Sequence, residues 1–245
     1  MKTLRIIAII VLAANIFCLH AQTITIHKVD GTKLEYHCGE VDSIVNYQIM
    51  PETEKHEAVD LGLSVLWATC NVGAEKTFQG GNKYAWGETE PRMEFNRDYY
   101  WFNASSNEYV DIGQNISGTI YDAAHIEWGG DWRMPIYEEM EELVNKCTWQ
   151  WVTLAGVYGF FITGPNGNRI FLPAANYHNN ANSNSNTHKY YADYWTGSLR
   201  HKYCSWQLHI NGYYNFLYGA TSNAKEISSA NERYFLYFIR PVKNK

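Results

Sequence analysis

The sequence predicts an α+β protein with one or two short helices, many short antiparallel strands and long loops, preceded by a small N-terminal β segment. Three observations lead there. A single stretch keeps a long helical period: Ile136, Met140, Leu143, Val144 and Cys147 recur at i, i+4, i+7, i+8 and i+11. Beyond residue 150 the chain reads as short apolar runs of strand length, parted by Gly- and Asn-rich turns. The 245 residues include 19 Tyr and 9 Trp, enough large rings to fill a core and still leave some for a contact surface.

The N-terminus reads as a signal peptide over residues 1–21. Lys2 and Arg5 precede an apolar run from Ile6 to Phe17, and Ala21 is a small residue before a cut. About a dozen apolar residues are too few to span a bilayer, which needs roughly 20. The alternative is a lipoprotein anchored at Cys18, although the bulky Ile16 and Phe17 stand where a lipidation signal wants small side chains. No later stretch is long and apolar enough to cross a membrane, so the expected location is the periplasm, the outer-membrane surface or the medium.

Residues 22–50 form the small β segment. Thr23-Ile24-Thr25-Ile26-His27 alternates, Asp30-Gly31 signals a hairpin, and Lys33-Leu34-Glu35-Tyr36 supplies the return strand. Val41-Asp42-Ser43-Ile44-Val45 reads as a third strand. Residues 51–55 are a polar linker. The net charge of −5 comes with no basic stripe, which excludes a nucleic-acid surface.

The main domain is expected over 56–243. Strands are read at 59–63 and 65–70, and loops across 74–117. Asp122 caps a short helix over 123–128 that Gly129-Gly130 ends. The longer helix follows Met134-Pro135, with Glu138, Glu139, Glu141 and Glu142 read as facing water. A hairpin joins 157–163 to 169–172 through Gly164-Pro165-Asn166-Gly167-Asn168. A low-complexity loop follows, with six Asn between Asn176 and Asn186. Tyr194-Trp195, the run 205–210 and the run 234–242 are the remaining strands. Once the signal is removed, Cys38, Cys70, Cys147 and Cys204 permit three full pairings, and no CxxC or CxxH spacing proposes zinc.

Several of these segments, in order, resemble a known family. They are the stretch 56–74, Tyr84-Ala85-Trp86-Gly87-Glu88, Trp128-Gly129-Gly130-Asp131-Trp132-Arg133-Met134-Pro135, Phe171-Leu172-Pro173-Ala174-Ala175, Tyr194-Trp195 and Ile239-Arg240-Pro241-Val242. Together they resemble the Fibrobacter succinogenes major paralogous domain, common in exported proteins of Bacteroidota. The resemblance implies a C-type-lectin-like fold related to the formylglycine-generating enzymes. It implies that the first and last strands lie side by side, with 238–242 pairing near 59–63. It also implies a Cys70–Cys147 disulfide, because both thiols lie in family-like segments. Two positions depart from the family. Ile136 stands where the family has a capping Thr, and Leu236 where it has Gly.

No catalytic set emerges. The formylglycine-generating relatives use two neighbouring cysteines in the C-terminal half, where this chain has Cys204 alone. His178, His188, His201 and His209 are scattered with no ligand spacing. GxSxG and phosphate-cradling glycine loops are absent. No cofactor is expected. Calcium is left open, although the lectin motifs Glu-Pro-Asn and Trp-Asn-Asp are missing. The expectation is therefore an exported, non-catalytic protein binding a glycan or protein ligand. A structural or assembly component of the cell envelope is the alternative, ahead of a formylglycine-generating-type enzyme.

The stretch from Asn176 to Tyr237 is dense in Asn, Tyr, Ser, Gly, His and Trp, as antibody paratopes are. Alternation places Trp206, Leu208 and Ile210 inward and Gln207, His209 and Asn211 outward. With Trp195, the loop residues Arg200, His201 and Tyr203, and Tyr213, Tyr214, Asn215 and Tyr218 beyond, these are the expected ligand contacts. The same segment is similar to the variable regions of lectin-fold proteins diversified by retroelements, with Tyr194-Trp195-Thr196-Gly197-Ser198 and Arg240-Pro241-Val242 as its fixed ends.

Overall fold

In a computed structural model the chain divides into two units, Met1–Ile49 and Met50–Lys245. Described are residues 23–27 and 33–37 of the first, and 56–94, 96–105, 108–175, 190–212, 225–228 and 232–245 of the second. In the first unit β1 (Thr23–His27) pairs antiparallel with β2 (Lys33–His37), in the register Ile24↔Tyr36 and Ile26↔Leu34. The signal peptide and the third strand expected at 41–45 lie outside the described residues.

The second unit is α+β with little helix, and its paired strands are all antiparallel among the described residues. Strand β3 (Ala58–Asp60) pairs with β4 (Leu66–Ala68), and a small hairpin joins β5 (Asn103–Ser105) to β6 (Glu108–Tyr109). Helix α1 (Ala123–Trp128) starts where the carboxylate of Asp122 accepts the backbone N–H of Ala124 (2.8 Å) and of His125 (3.2 Å). Its second oxygen accepts from Gly118 (2.8 Å) and Met134 (2.7 Å), so the cap also ties the helix to the chain on both sides. The helix stops at Gly129, whose φ of 70° a residue with a Cβ rarely adopts.

Helix α2 (Tyr137–Lys146) buries Met140 and Leu143, as the period requires. One of its glutamates corrects the expectation of an all-solvent acidic face. Glu139 is buried, forms a two-pronged ion pair with Arg133 (2.8 and 2.6 Å), and accepts the N–H of Ile136 (2.9 Å). The apolar Ile136 offers no side-chain acceptor to the first turn; Glu139 makes the reciprocal half of a capping box by accepting the Ile136 N–H, and Ser198 Oγ accepts the N–H of Tyr137 (2.9 Å).

After α2 come three antiparallel strands in sequential order, β7 (Thr148–Leu154), β8 (Val157–Thr163) and β9 (Arg169–Pro173). A second three-stranded sheet follows: β10 (Tyr191–His201), β11 (Cys204–Asn211) and β12 (Lys225–Ser228). The last strand, β13 (Val242–Lys243), completes the first sheet in the order β13-β4-β3. Beginning and end of the domain share a sheet, but the neighbour differs from the one expected. Val242 lies opposite Trp67 of β4, and β3 takes the far side. Nor is 234–242 one strand. Tyr237 bridges to Tyr84, Phe238 to Tyr194, and Ile239 accepts the N–H of Val72 (3.0 Å), so this stretch crosses between sheets.

Two cores result. The larger packs Leu61, Trp67, Leu143, Ile162, Leu172 and Leu208 with their neighbours. The second joins Trp86, Ile116, Met134, Trp195, Tyr237 and Ile239. Arg240 is wholly buried between backbone segments. Its guanidinium donates to the carbonyls of Ala68 (2.9 Å), Thr69 (2.7 Å) and Phe171 (3.0 Å) and to Asn71 Oδ1 (2.7 Å).

The expected Cys70–Cys147 bridge is not formed. Both are free, buried thiols in separate surroundings. Cys70 accepts a weak contact from the Thr69 hydroxyl (3.8 Å). Cys147 closes α2 within the larger core, where burial pushes its thiol up to about 11. Cys38 lies outside the described residues.

Candidate functional site

The β10–β11 hairpin is the centre of the candidate site. Its strands pair Asp193 with His209, Tyr194 with Leu208 and Trp195 with Gln207. Ala192, Tyr194, Leu208 and Ile210 point into the larger core. The opposite face carries Asp193 and Trp195 from β10 and Ser205, Gln207 and His209 from β11. That face is not open to water throughout. At its Trp195 end the second core covers it, through Trp86 and Tyr237.

Trp195 is therefore a core residue and not a ligand contact. It is fully buried, stands 4.4 Å from the Tyr237 ring, and donates from Nε1 to the carbonyl of Tyr84 (2.8 Å). Beyond it the register with β11 shifts, and Gly197 comes so close to Ser117 that an added Cβ would stand 2.9 Å from it. Only glycine fits this bulge, which accepts the N–H of Ile116 (2.9 Å) and donates to Pro135 (2.8 Å).

Gln207 was expected to be exposed and is buried. Its Nε2 donates to Asp193 Oδ1 (3.2 Å), and Nδ1 of His209 pairs with the same oxygen (2.9 Å). Asp193 is itself almost completely buried. Lys83, half-buried, lies with its ammonium over the Phe238 ring at 5.0 Å and close enough to Asp193 for each charge to act on the other. Burial pushes the Asp193 carboxyl up, against the pull of His209 and Lys83. Burial also pushes the Lys83 ammonium down to about 8, against the pull of Asp193.

Three buried oxygens of this row, Asp193 Oδ2, Gln207 Oε1 and Ser205 Oγ, have no hydrogen-bond partner among the described residues. An unpaired buried polar atom costs about 1–3 kcal/mol, and native folds keep few. Three such atoms lie on this one face of the hairpin. His209, with 28% of its side chain exposed, forms the rim of the row, and the Tyr191 ring lies near-parallel to its imidazole at 6.2 Å.

The hairpin tip presents Arg200, His201 and Lys202 to solvent. Arg200 sits over the Trp206 ring (5.0 Å), which also packs on Tyr137 of α2 (4.7 Å). Trp206, expected inside, is half-buried because β11 runs past the edge of the larger core and meets the start of α2 instead. Tyr203 is half-buried, and its carbonyl accepts the N–H of Arg233 (3.1 Å). Asn211 is half-buried at the end of β11, opposite Tyr191. Tyr213, Tyr214, Asn215 and Tyr218 lie outside the described residues. The structure thus groups Gln207 with His209, places Arg200 and His201 together at the tip, and removes Trp195.

Sequence reasoning missed Asp193 and Lys83. Asp193 left a signal, the lone acid of β10, set between Ala192 and Tyr194 in the run Tyr191–Trp195. Lys83 left none, since only the fold brings it to β10. No group of three or more His, Cys, Asp or Glu side chains among the described residues could hold a metal ion. No helix among them is long and apolar enough to cross a membrane. Comparison with protein-family models, curated proteins and solved structures gives no match.

Proposed function

We propose that this chain is an exported, non-catalytic binding protein. In this reading its second unit is a C-type-lectin-like domain of the Fibrobacter major paralogous type that recognises a glycan or protein ligand through the β10–β11 hairpin and its adjoining loops. The observation that carries the reading is the exposed hairpin tip, Arg200, His201 and Lys202, which continues into the part-exposed Tyr203, Trp206 and His209. The return of the chain to its first sheet, β13 beside β4, supports the lectin-like reading, as does the ordered series of family-like segments.

The large apolar side chains left exposed, Met93, Tyr99 and Trp101, favour a second reading, a structural or assembly component of the envelope. A glycan array and a pull-down from envelope extract, both with residues 22–245, separate the two. Ligand retention that falls at least tenfold in the Arg200→Ala/His209→Ala double variant supports the binding reading. Retention unchanged in that variant places the site elsewhere. A stoichiometric, detergent-resistant complex with no glycan binding favours the second reading.

A further inference from the structure

A bare edge strand presents a row of backbone N–H and C=O groups with which another strand can pair. Most edges of the second unit are protected against this. Strands β3, β5, β6 and β13 run for only two or three residues. Strand β12 carries Lys225 and Glu226. The outer side of β10 is taken up by Phe238, whose carbonyl accepts the N–H of Trp195 (2.9 Å) and whose N–H donates to Asp193 (3.1 Å). Strand β9 ends in Pro173, and the carbonyls of Phe171 and Pro173 accept from Arg240 (3.0 Å) and Tyr194 (2.5 Å).

Strand β7 has none of these protections. Its seven residues hold no charge and no proline, and its register against β8 runs unbroken from Thr148↔Thr163 to Leu154↔Val157. Among the described residues it is the end strand of its sheet. The alternation of the ladder fixes which backbone groups face outward. Tyr158 of β8 turns toward β9, where its carbonyl accepts the N–H of Ala174 (2.8 Å), and by alternation so do Phe160 and Ile162. Their opposites on β7, Trp151 and Trp149, therefore point N–H and C=O out of the sheet. The side chains of Thr148 and Gln150 beside them are exposed.

An uncharged edge gives neither an acidic nor a basic partner an advantage, but this one complements itself. Outward residues pair only with outward residues. Two antiparallel β7 strands thus set Trp149 of one copy opposite Trp151 of the other, each such pair exchanging both N–H···O bonds. Gln150 then meets the second copy's Gln150 across the axis, and a side-chain amide both donates and accepts. We propose that β7 pairs antiparallel with β7 of a second copy of this chain, about a two-fold axis at Gln150, joining two three-stranded sheets into one. This edge belongs to a different sheet from the β10–β11 hairpin, so the pairing stands whatever the hairpin binds.

Contacts below about 1,200 Å² are weak, so sedimentation velocity on residues 22–245 is run up to about 500 μM. The variants are Gln150→Lys and Gln150→Glu, at an exposed position, with thermal melts to establish that both are folded. The wild type should dimerise. Each variant sets like charges opposite each other and should associate at least about fivefold more weakly. An equimolar mixture of the two should regain the wild-type affinity. Hydrogen exchange at the amides of Trp149 and Trp151 should slow as concentration rises. A wild type still monomeric at the highest concentration overturns the proposal. So does a dimer that both variants form within about twofold of the wild type, or a mixture that associates no better than either variant alone. A dimer that leaves the Trp149 and Trp151 amides unprotected overturns it as well.

Discussion

Replacing Arg240 by Met tests what holds the last segment of the chain. The guanidinium is completely buried and has no carboxylate partner among the described residues. It is held by three carbonyls and the Asn71 side-chain oxygen. Burial pulls its proton affinity down, against the pull of Tyr194 and Cys70. Met fills a similar length but donates nothing, so four acceptors lose a bond at about 1 kcal/mol each at the low end. Removing a buried charge returns part of its desolvation cost, so the loss is offset and not additive. The expected outcome is a net destabilisation of about 3 kcal/mol, with Arg240→Lys no better. An ammonium reaches one or two of the four acceptors and is more strongly hydrated when left outside. Urea unfolding followed by Trp fluorescence reads this as a lower midpoint at constant slope. A loss below about 1 kcal/mol for Arg240→Met, or near-wild-type stability for Arg240→Lys, would refute the idea that fixed guanidinium geometry holds Ala68, Thr69 and Phe171 together.

Two further outcomes follow from the same structure. Trp195→Ala should cost about 3–5 kcal/mol in a thermal or urea melt, as truncation of a large core side chain does. Arg200→Ala at the exposed tip should stay within about 0.5 kcal/mol. Equal effects would mean that Trp195 does not fill the second core. Glu142 gives the pH dependence. Burial raises its carboxyl, but hydrogen bonds from Lys146 and Ser64 outweigh that and bring it from 4.5 to about 2. Its folded value is depressed, so its contribution is present above pH 4.5 and lost as pH falls toward 2. Solvent screening reduces that contribution to about 1 kcal/mol. Stability measured from pH 6 to 2 should drop more steeply in the wild type than in Glu142→Gln, and parallel curves would count against the assignment.

The parts of the fold legible in the sequence are those governed by neighbours in the chain. Asp122 and Gly129 bracket α1 because a cap and a left-handed stop act within one turn. The β8–β9 hairpin follows from a turn of Gly164, Pro165 and Gly167 between apolar runs. Glu139 shows where that logic ends. Its spacing put it on the wet face of α2, and a tertiary partner, Arg133, drew it inside. Arg240 is the same case at greater range, a charge whose partners come from β4, the residues just after it, and β9.

The site was half legible for a related reason. Alternation along β11 did place Gln207 and His209 on one face and Leu208 and Ile210 on the other. The inference that one face must be wet assumed a strand with a single core, and β10–β11 lies between two. In such a strand a polar residue on the second face is buried, and it needs a partner. Asp193, Gln207 and His209 satisfy one another only in part, because one carboxylate oxygen accepts from both neighbours while the second oxygen and the Gln207 carbonyl are left over. An apolar row there would pack the second core without penalty. A polar row on that face is what period-two alternation cannot foresee, since the second core buries side chains that the pattern alone leaves to water.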